Sequence, residues 1–315
     1  MRNLIHKLLT IHNDYLHGSF SRDYQPILTV DSGDAIQLKS TDIQWGYSSS
    51  RAEERVFFSS REKEEKPGHP LIGPIFVRNA KPGTVLEVKI NDLVPAWYGQ
   101  NWAGGVQNWQ NEKLGIADHK RIQLDWELDP DTMTGSCKIG DRTFTVALSP
   151  FMGVMGVAPE ESGVHPTAPP RYCGGNIDCK ELVKGSSLFL PVSVEGALFS
   201  IGDGHALQGD GEVSGTAIEC PMDLVDITLI VHQDMKLTMP RAKTPSVWIT
   251  FGFSEDLNAA AAVALDEMVQ LLQSFYGIEK TEATALASVA VDLRVTQVVN
   301  GVKGVHAVLP YGAIR

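Results

Sequence analysis

Short runs of alternating apolar and polar residues, broken by Gly, Pro, Asn and Asp, fill most of the chain up to about residue 252. The stretch PILTVDSGDAIQLKSTD alternates on either side of Ser32-Gly33-Asp34, which predicts a hairpin. In KPGTVLEVKINDLVP a Pro82-Gly83 turn precedes a run that puts Val85, Glu87 and Lys89 on one face and Leu86, Val88 and Ile90 on the other. GDRTFTVALSP and KGSSLFLPVSVEGALFSIGD repeat the design, and GEVSGTAIECPMDLVDITLIVH is a longer, β-branched run. Many short strands with Gly/Pro turns predict a sandwich or barrel rather than a parallel α/β sheet.

The period changes late. Asp256 to Tyr276 is rich in Ala, Leu, Met and Gln, the strong helix formers, with Ser254 as expected N-cap and Gly277 as stop. EKTEATALASVAVDL predicts a second helix capped by Thr281 and running into the β-like RVTQVVNGVKGVHAVLP. The expected fold class is α+β, mainly β: a sandwich- or barrel-like body with two late helices. We read residues 1–315 as a single domain, β-rich over 1–252 and helical with a C-terminal strand segment over 253–315. The loop WYGQNWAGGVQNW, Trp97 to Trp109, reads as a surface turn with aromatic packing, a pocket wall or a subunit contact.

At 315 residues the chain can bury a large core without disulfides. Its net charge of -11 and scattered basic residues argue against nucleic acid as a partner. The dense run Arg51 to Lys66 mixes both signs and reads as a solvated face. Four cysteines without zinc-ribbon spacing fit a reduced, cytoplasmic protein. No run approaches the roughly 18–20 continuous apolar residues of a membrane span, so no membrane association is expected. A homodimer is the expected oligomer, since C2 symmetry is commonest.

Candidate chemistry collects in a few loops. GDGHALQGDGE sets acids and one imidazole in a Gly-rich stretch after an apolar strand. If residues 203–205 stay extended, Asp203 and His205 share a face. An imidazole with carboxylates is a usual ligand set for zinc or a similar divalent ion. Asp178, after a Gly-Gly-Asn turn, can add a carboxylate, and so can Asp42 from the N-terminal region. The competing reading is that GDG and GDGE are ordinary turns and the histidine is a hydrogen-bonded structural group. Asn176 either caps its own turn or donates to a developing oxyanion. Glu160 and Glu161 follow an apolar loop, where a carboxylate is either desolvated and basic or simply solvated. A G-x-S-x-G elbow is absent, and Cys173 and Cys179 flank Asp178 without a visible base, which leaves nucleophilic schemes weak.

Four segments together carry a family resemblance: STDIQWG, HPLIGPIFVRNAKPG from His69, SPFMGVMGVAPEESG from Ser149, and CGGNID through GDGHALQGDGE from Cys173 to Glu212. In these the sequence resembles the acetamidase/formamidase family, from His12 to His306. The resemblance implies hydrolysis of a short linear amide, formamide or acetamide in class, to carboxylate and ammonia. Together with the residues read above it leads us to expect a divalent metal, zinc first and calcium as the alternative, held by Asp178, Asp203 and His205 with Asp42 or Glu212 as a fourth ligand. Glu160 is the expected proton-transfer group and Asn176 the residue orienting the carbonyl. A lactam hydrolase on the same scaffold and a non-catalytic, calcium-stabilised binding module are the alternatives.

Overall fold

A computed structural model describes residues 4–315. The nine-stranded sheet runs, in spatial order, Ile5–Leu8, Ala35–Leu38, Met222–His232, Val85–Pro95, Ser187–Pro191, Arg241–Lys243, Val247–Ser254, Lys303–Pro310 and Asp292–Gln297. Every neighbouring pair is antiparallel except the first. A six-stranded sheet aligns Gly174–Asn176, Phe151–Gly156, Phe199–His205, Leu71–Val77 and Leu16–His17, with Leu28–Val30 also pairing on Leu71–Val77. Both sheets are open, and neither closes into a barrel. Leu86, Val88, Ile90, Leu188, Val225 and Ile227 from the first join Ile72, Ile75, Met152, Met155, Phe199 and Ile201 from the second in one buried apolar core. The mainly-β expectation is met, with alternation of the kind expected: Leu86, Val88 and Ile90 all point into that core. On the opposite face Glu87 is buried too, against His232 at 2.7 Å and Lys243 at 3.5 Å.

The turn at Ser32–Asp34 does not make a hairpin. Leu28–Val30 joins the six-stranded sheet and Ala35–Leu38 the nine-stranded one, so the turn carries the chain between layers. The Asp34 carboxylate fixes this corner by accepting from the N–H groups of Leu4 and Asp31 and meeting His6 Nε2 at 3.0 Å. Local alternation is the same for either outcome, because pairing partners are set by the whole sheet.

Helices Leu257–Tyr276 and Lys280–Ala290 pack on the end of the large sheet through Ala260, Ala264, Met268, Leu272, Val305 and Ala307. The N-cap of the first is Asp256, whose carboxylate accepts from Ala259 N–H at 2.8 Å, rather than Ser254. Ser254 Oγ sits two residues earlier, accepting from Asp256 N–H. Gly277 ends the helix in the left-handed conformation, φ 63. The second helix starts after Glu279, where the Glu282 carboxylate accepts from the Glu279 N–H, and Thr281 lies inside its first turn. Close contact with the sheet requires Gly252, where a Cβ would meet Ala260 O at 2.1 Å. Among the described residues no helix is long and apolar enough to cross a membrane. All four cysteines are buried and free.

His17 lies where the N-terminal strands meet the six-stranded sheet. Its Nδ1 donates to Ser19 O at 2.7 Å, which leaves Nε2 to accept from Ser200 Oγ at 3.0 Å. Burial holds its pKa down to about 4 against the Ser19 bond. The unfolded chain gains a proton near pH 6.5 that the native chain refuses until about 4, so native stability falls as pH drops through that window. The loss approaches ~3 kcal/mol at the lower end. Urea midpoints at several pH values should show a shallower fall for His17→Gln, and an identical slope would remove His17 as the cause.

Candidate functional site

The end of Phe199–His205, the turn after Gly174–Asn176 and the loop from Ala206 to Glu219 converge behind Phe151–Gly156. They bring together Asp178, Asp203, His205, Glu212 and Glu219, all at most 6% exposed. Three of these adopt positive φ: Asp178 at 54, Asp203 at 61 and Glu212 at 46. Side-chain-bearing residues in that region carry backbone strain, which concentrates at functional sites. The left-handed turn at Asp203 breaks the extended run, yet Asp203 and His205 still meet, with Oδ2 and Nε2 at 3.3 Å.

The imidazole of His205 is the centre of the cluster. Its Nε2 lies 3.3 Å from Asp203 and 3.2 Å from Glu219, and its Nδ1 faces Asp178 Oδ1 at 4.0 Å. Phe151 packs edge-on against the ring, with centroids 4.9 Å apart. Asp178, His205 and Glu212 form one group with ligand atoms within 4.8 Å of each other, and Asp203, His205 and Glu219 form another. The first group decides the matter of fit. Among the described residues, Asp178 Oδ1, His205 Nδ1 and Glu212 Oε2 are all buried without a hydrogen-bond partner, as are Asp203 Oδ1 and Glu219 Oε2 of the second group, but only in the first does the imidazole nitrogen itself lack a partner. Three converging orphaned atoms of this kind are costly unless something binds them. These buried groups can hold a metal ion.

The electrostatics agree. Burial raises Asp178 to about 7 against the charge of His205, and burial with the charge of Asp178 raises Glu212 well above its ordinary value. Burial also raises Glu219. Against the penalty of burial, the carboxylates of Glu219 and Asp203 raise His205 well above its usual value, and His205 in turn brings Asp203 down to about 2. Two acids on the Nδ1 side thus prefer neutrality until a cation joins them.

The surroundings orient these groups. Asn300 Nδ2 donates to Asp178 Oδ2 at 2.7 Å, leaving Oδ1 to face His205. Gln208 Nε2 donates to the Asp178 carbonyl, and Gly153 O accepts from Ile177 and Asp178 N–H. Gln100 and Glu219 exchange backbone hydrogen bonds, so the strand Tyr98–Ala103 forms a wall of the site, as one reading of the Trp97–Trp109 segment expected. Gly153 leaves the space itself: a Cβ there would lie 2.7 Å from Asp178 Oδ1, 2.7 Å from Asp203 Oδ2 and 2.8 Å from His205 Cε1. Glu212 and Gln208 line a cavity of about 270 Å³, and Asn300 lines another of about 210 Å³. A cavity of about 610 Å³ is lined by His69, whose charge is felt at Asp203, and by Ala168, whose carbonyl takes a hydrogen bond from Asn176.

Four further candidate residues lie outside the converging group. Asp42 is buried, but Oδ1 binds Arg55 at 2.5 Å and the N–H groups of Gln44 and Gly46, while Oδ2 accepts from Tyr98 at 2.8 Å. Both oxygens are occupied, so Asp42 is not among the converging acids. Glu160 is exposed on its loop; Tyr172 Oη and Arg22 bind only its backbone, and its carboxylate is not desolvated. Glu161 is exposed as well, accepting from Tyr172 Oη. Asn176 is buried with Nδ2 spent on Ala168 O and Oδ1 unpartnered. Asp42→Ala is expected to lower unfolding free energy by ~3 kcal/mol, the usual result of orphaning a buried partner, with bound-metal content unchanged. Metal loss at intact stability would return Asp42 to the ligand set.

Residues 5–166 and 161–312 match the family model described as Acetamidase/Formamidase family. The chain belongs to that family. It is 27% identical over 309 residues to an acetamidase of Mycolicibacterium smegmatis, covering 76% of this chain and 74% of the other. Among solved structures, a recombinant predicted acetamidase/formamidase from Thermoanaerobacter tengcongensis superposes with a TM-score of 0.81 at 28% identity, covering 98% of this chain and 96% of that one. An acetamidase from Bacillus halodurans gives 0.80 at 25% identity, with 97% of each chain covered. The family membership thus spans the β-rich body, the late helices and the hairpin of Asp292–Gln297 and Lys303–Pro310, whose loop bears Asn300.

Proposed function

We propose that this chain hydrolyses a short linear amide to its carboxylate and ammonia, with a divalent ion held by Asp178, His205 and Glu212. The observation that carries the reading is the set of three buried, converging, unpartnered atoms, Asp178 Oδ1, His205 Nδ1 and Glu212 Oε2. Two carboxylates and an imidazole that gives up its Nδ1 proton as the ion binds match the charge of a divalent ion, and mixed nitrogen and oxygen donors suit zinc, with calcium less favoured by the imidazole. Asp203 and Glu219 lie at Nε2, where they fix the ring and keep the remaining proton away from Nδ1, the arrangement that carboxylates commonly make behind a ligating histidine. Asp203 therefore moves from ligand to support in this reading.

Such an ion supplies Lewis acidity, lowering the pKa of a bound water and polarising an amide carbonyl. The rest falls to side chains. Asn300 and Gln208 hold Asp178 in place, and Gln100 walls the site beside Glu219. The departing amine needs a proton. His69, held through Nδ1 by Thr167 Oγ1 at 2.6 Å, is the better supported carrier, because the exposed carboxylate of Glu160 has no contact that fixes it. Asn176 keeps an orienting role through its place between Ala168 and the Asp178 turn.

The test combines chelation with product analysis. Metal-loaded protein should release ammonia from formamide or acetamide, lose that activity on chelation and regain it with a divalent ion. Ring-opened amino acid from a small lactam, with no ammonia from linear amides, would move the reading to lactam hydrolysis. Loss of stability on chelation, without turnover of any amide beforehand, would leave a structural ion only.

A further inference from the structure

We propose that Cys179, Glu181 and His306 form a second site for a zinc-class divalent ion, back to back with the Asp178 cluster. Asp178 and Cys179 are consecutive, and the turn they share sends one side chain to each site. Cys179 Sγ lies 3.2 Å from Glu181 Oε2, and His306 Nε2 lies 3.4 Å from the same oxygen. All three ligand atoms fall within 4.8 Å of one another.

The residues are arranged as ligands are. His306 is fully buried in the strand Lys303–Pro310, and its Nδ1 meets Thr296 Oγ1 at 2.8 Å. With the proton on Nδ1 donated to Thr296, the lone pair of Nε2 points at the cluster, the pattern that fixes a ligating imidazole. That Nε2 is buried and has no hydrogen-bond partner among the described residues. A plain Glu181–His306 ion pair explains the proximity but not this unpartnered nitrogen, since the approach to Glu181 lacks hydrogen-bond direction. Arg294 Nη1 holds Glu181 Oε1 at 3.0 Å, while Oε2 accepts from the Cys179 thiol and turns to the ion when that proton leaves. A thiolate selects zinc-class ions over calcium or magnesium. Glu181 and Arg294 also line an open cavity of about 530 Å³, from which water can complete a four-coordinate shell. On binding, the ion replaces the Cys179 thiol proton, which passes to solvent. The ion would tie the C-terminal strand to the turn that carries Asp178.

Cobalt(II) reports on this site separately from the first. Sulfur ligation gives a thiolate-to-cobalt charge-transfer band in the near ultraviolet, and the oxygen and nitrogen donors of the Asp178 cluster give none. Protein stripped of metal and loaded with cobalt should show the band. Cys179→Ser should lose it together with one bound ion per chain, and His306→Gln should weaken it, while Cys220→Ala keeps it. No band in the native sequence at saturating cobalt would overturn the proposal, as would a band and metal content unchanged in Cys179→Ser. Neither result depends on amide turnover, so failure here and failure of the amidase reading are told apart.

Discussion

His205→Ala is expected to release the ion from the Asp178 cluster and to lower kcat/KM for a short amide by more than ~10³-fold. A single lost oxyanion donor already costs about 10²–10³ in rate, and this change removes the only nitrogen from the proposed ligand set and the group that gathers the acids. Around the ring stand Asp178, Asp203, Glu212 and Glu219, all buried. Without the imidazole the acids on both sides lose the cationic partner they share, so burial should leave them protonated at higher pH than before. Circular dichroism would check that the sheets persist, and elemental analysis with an ammonia assay would read the two losses. Millimolar imidazole should restore part of both by filling the space left. Native metal content with undiminished turnover would sink the ligand assignment.

Gly153→Ala is expected to lower metal affinity by ~10²-fold, the scale seen when groups around a ligand are displaced, with a matching loss of activity. The new methyl would lie 2.7 Å from one oxygen each of Asp178 and Asp203 and 2.8 Å from His205 Cε1. These are rigid, buried partners, and none is the free end of a flexible chain. In a strand the backbone itself favours alanine over glycine by roughly 0.5–1 kcal/mol, so any deficit must come from contact rather than from φ and ψ. Crowding of this kind typically costs about 1–3 kcal/mol of stability. Titration with a fluorescent metal indicator and a urea melt would separate the two effects. Native affinity in the variant would mean that the acids can part freely.

Much of this was legible along the chain. Strand and helix spans follow from period and propensity, which are local; each late helix starts from a different capping residue, and the second stops at Ala290, with Asp292 and Leu293 passing to the next strand. Asp178, Asp203, His205 and Glu212 stand in glycine-rich wording that few structural segments need. Asn300 was not legible, because its hairpin loop reaches Asp178 across 122 positions. Gln100 and Glu219 sit in ordinary strand-like text. One signal for Glu219 existed: a lone carboxylate within Thr216-Ala217-Ile218-Glu219-Cys220, all of it buried. An unpaired acid in an otherwise inward run is costly without a partner. Asp42 and Glu160 misled for the same reason, since sequence gives a carboxylate but not its neighbours. Arg55 and Tyr98 take up the first, and the second stands exposed on its loop.

The left-handed backbone at Asp178, Asp203 and Glu212 has a bearing on how this protein can change. Glycine would relax each of these three peptides at no steric cost. Selection for heat resistance alone would therefore drift toward glycine at all three and erase the carboxylates, trading chemistry for a calmer fold. If the proposed ion site is right, a library screened only for soluble, durable protein would be the wrong place to look for a better catalyst.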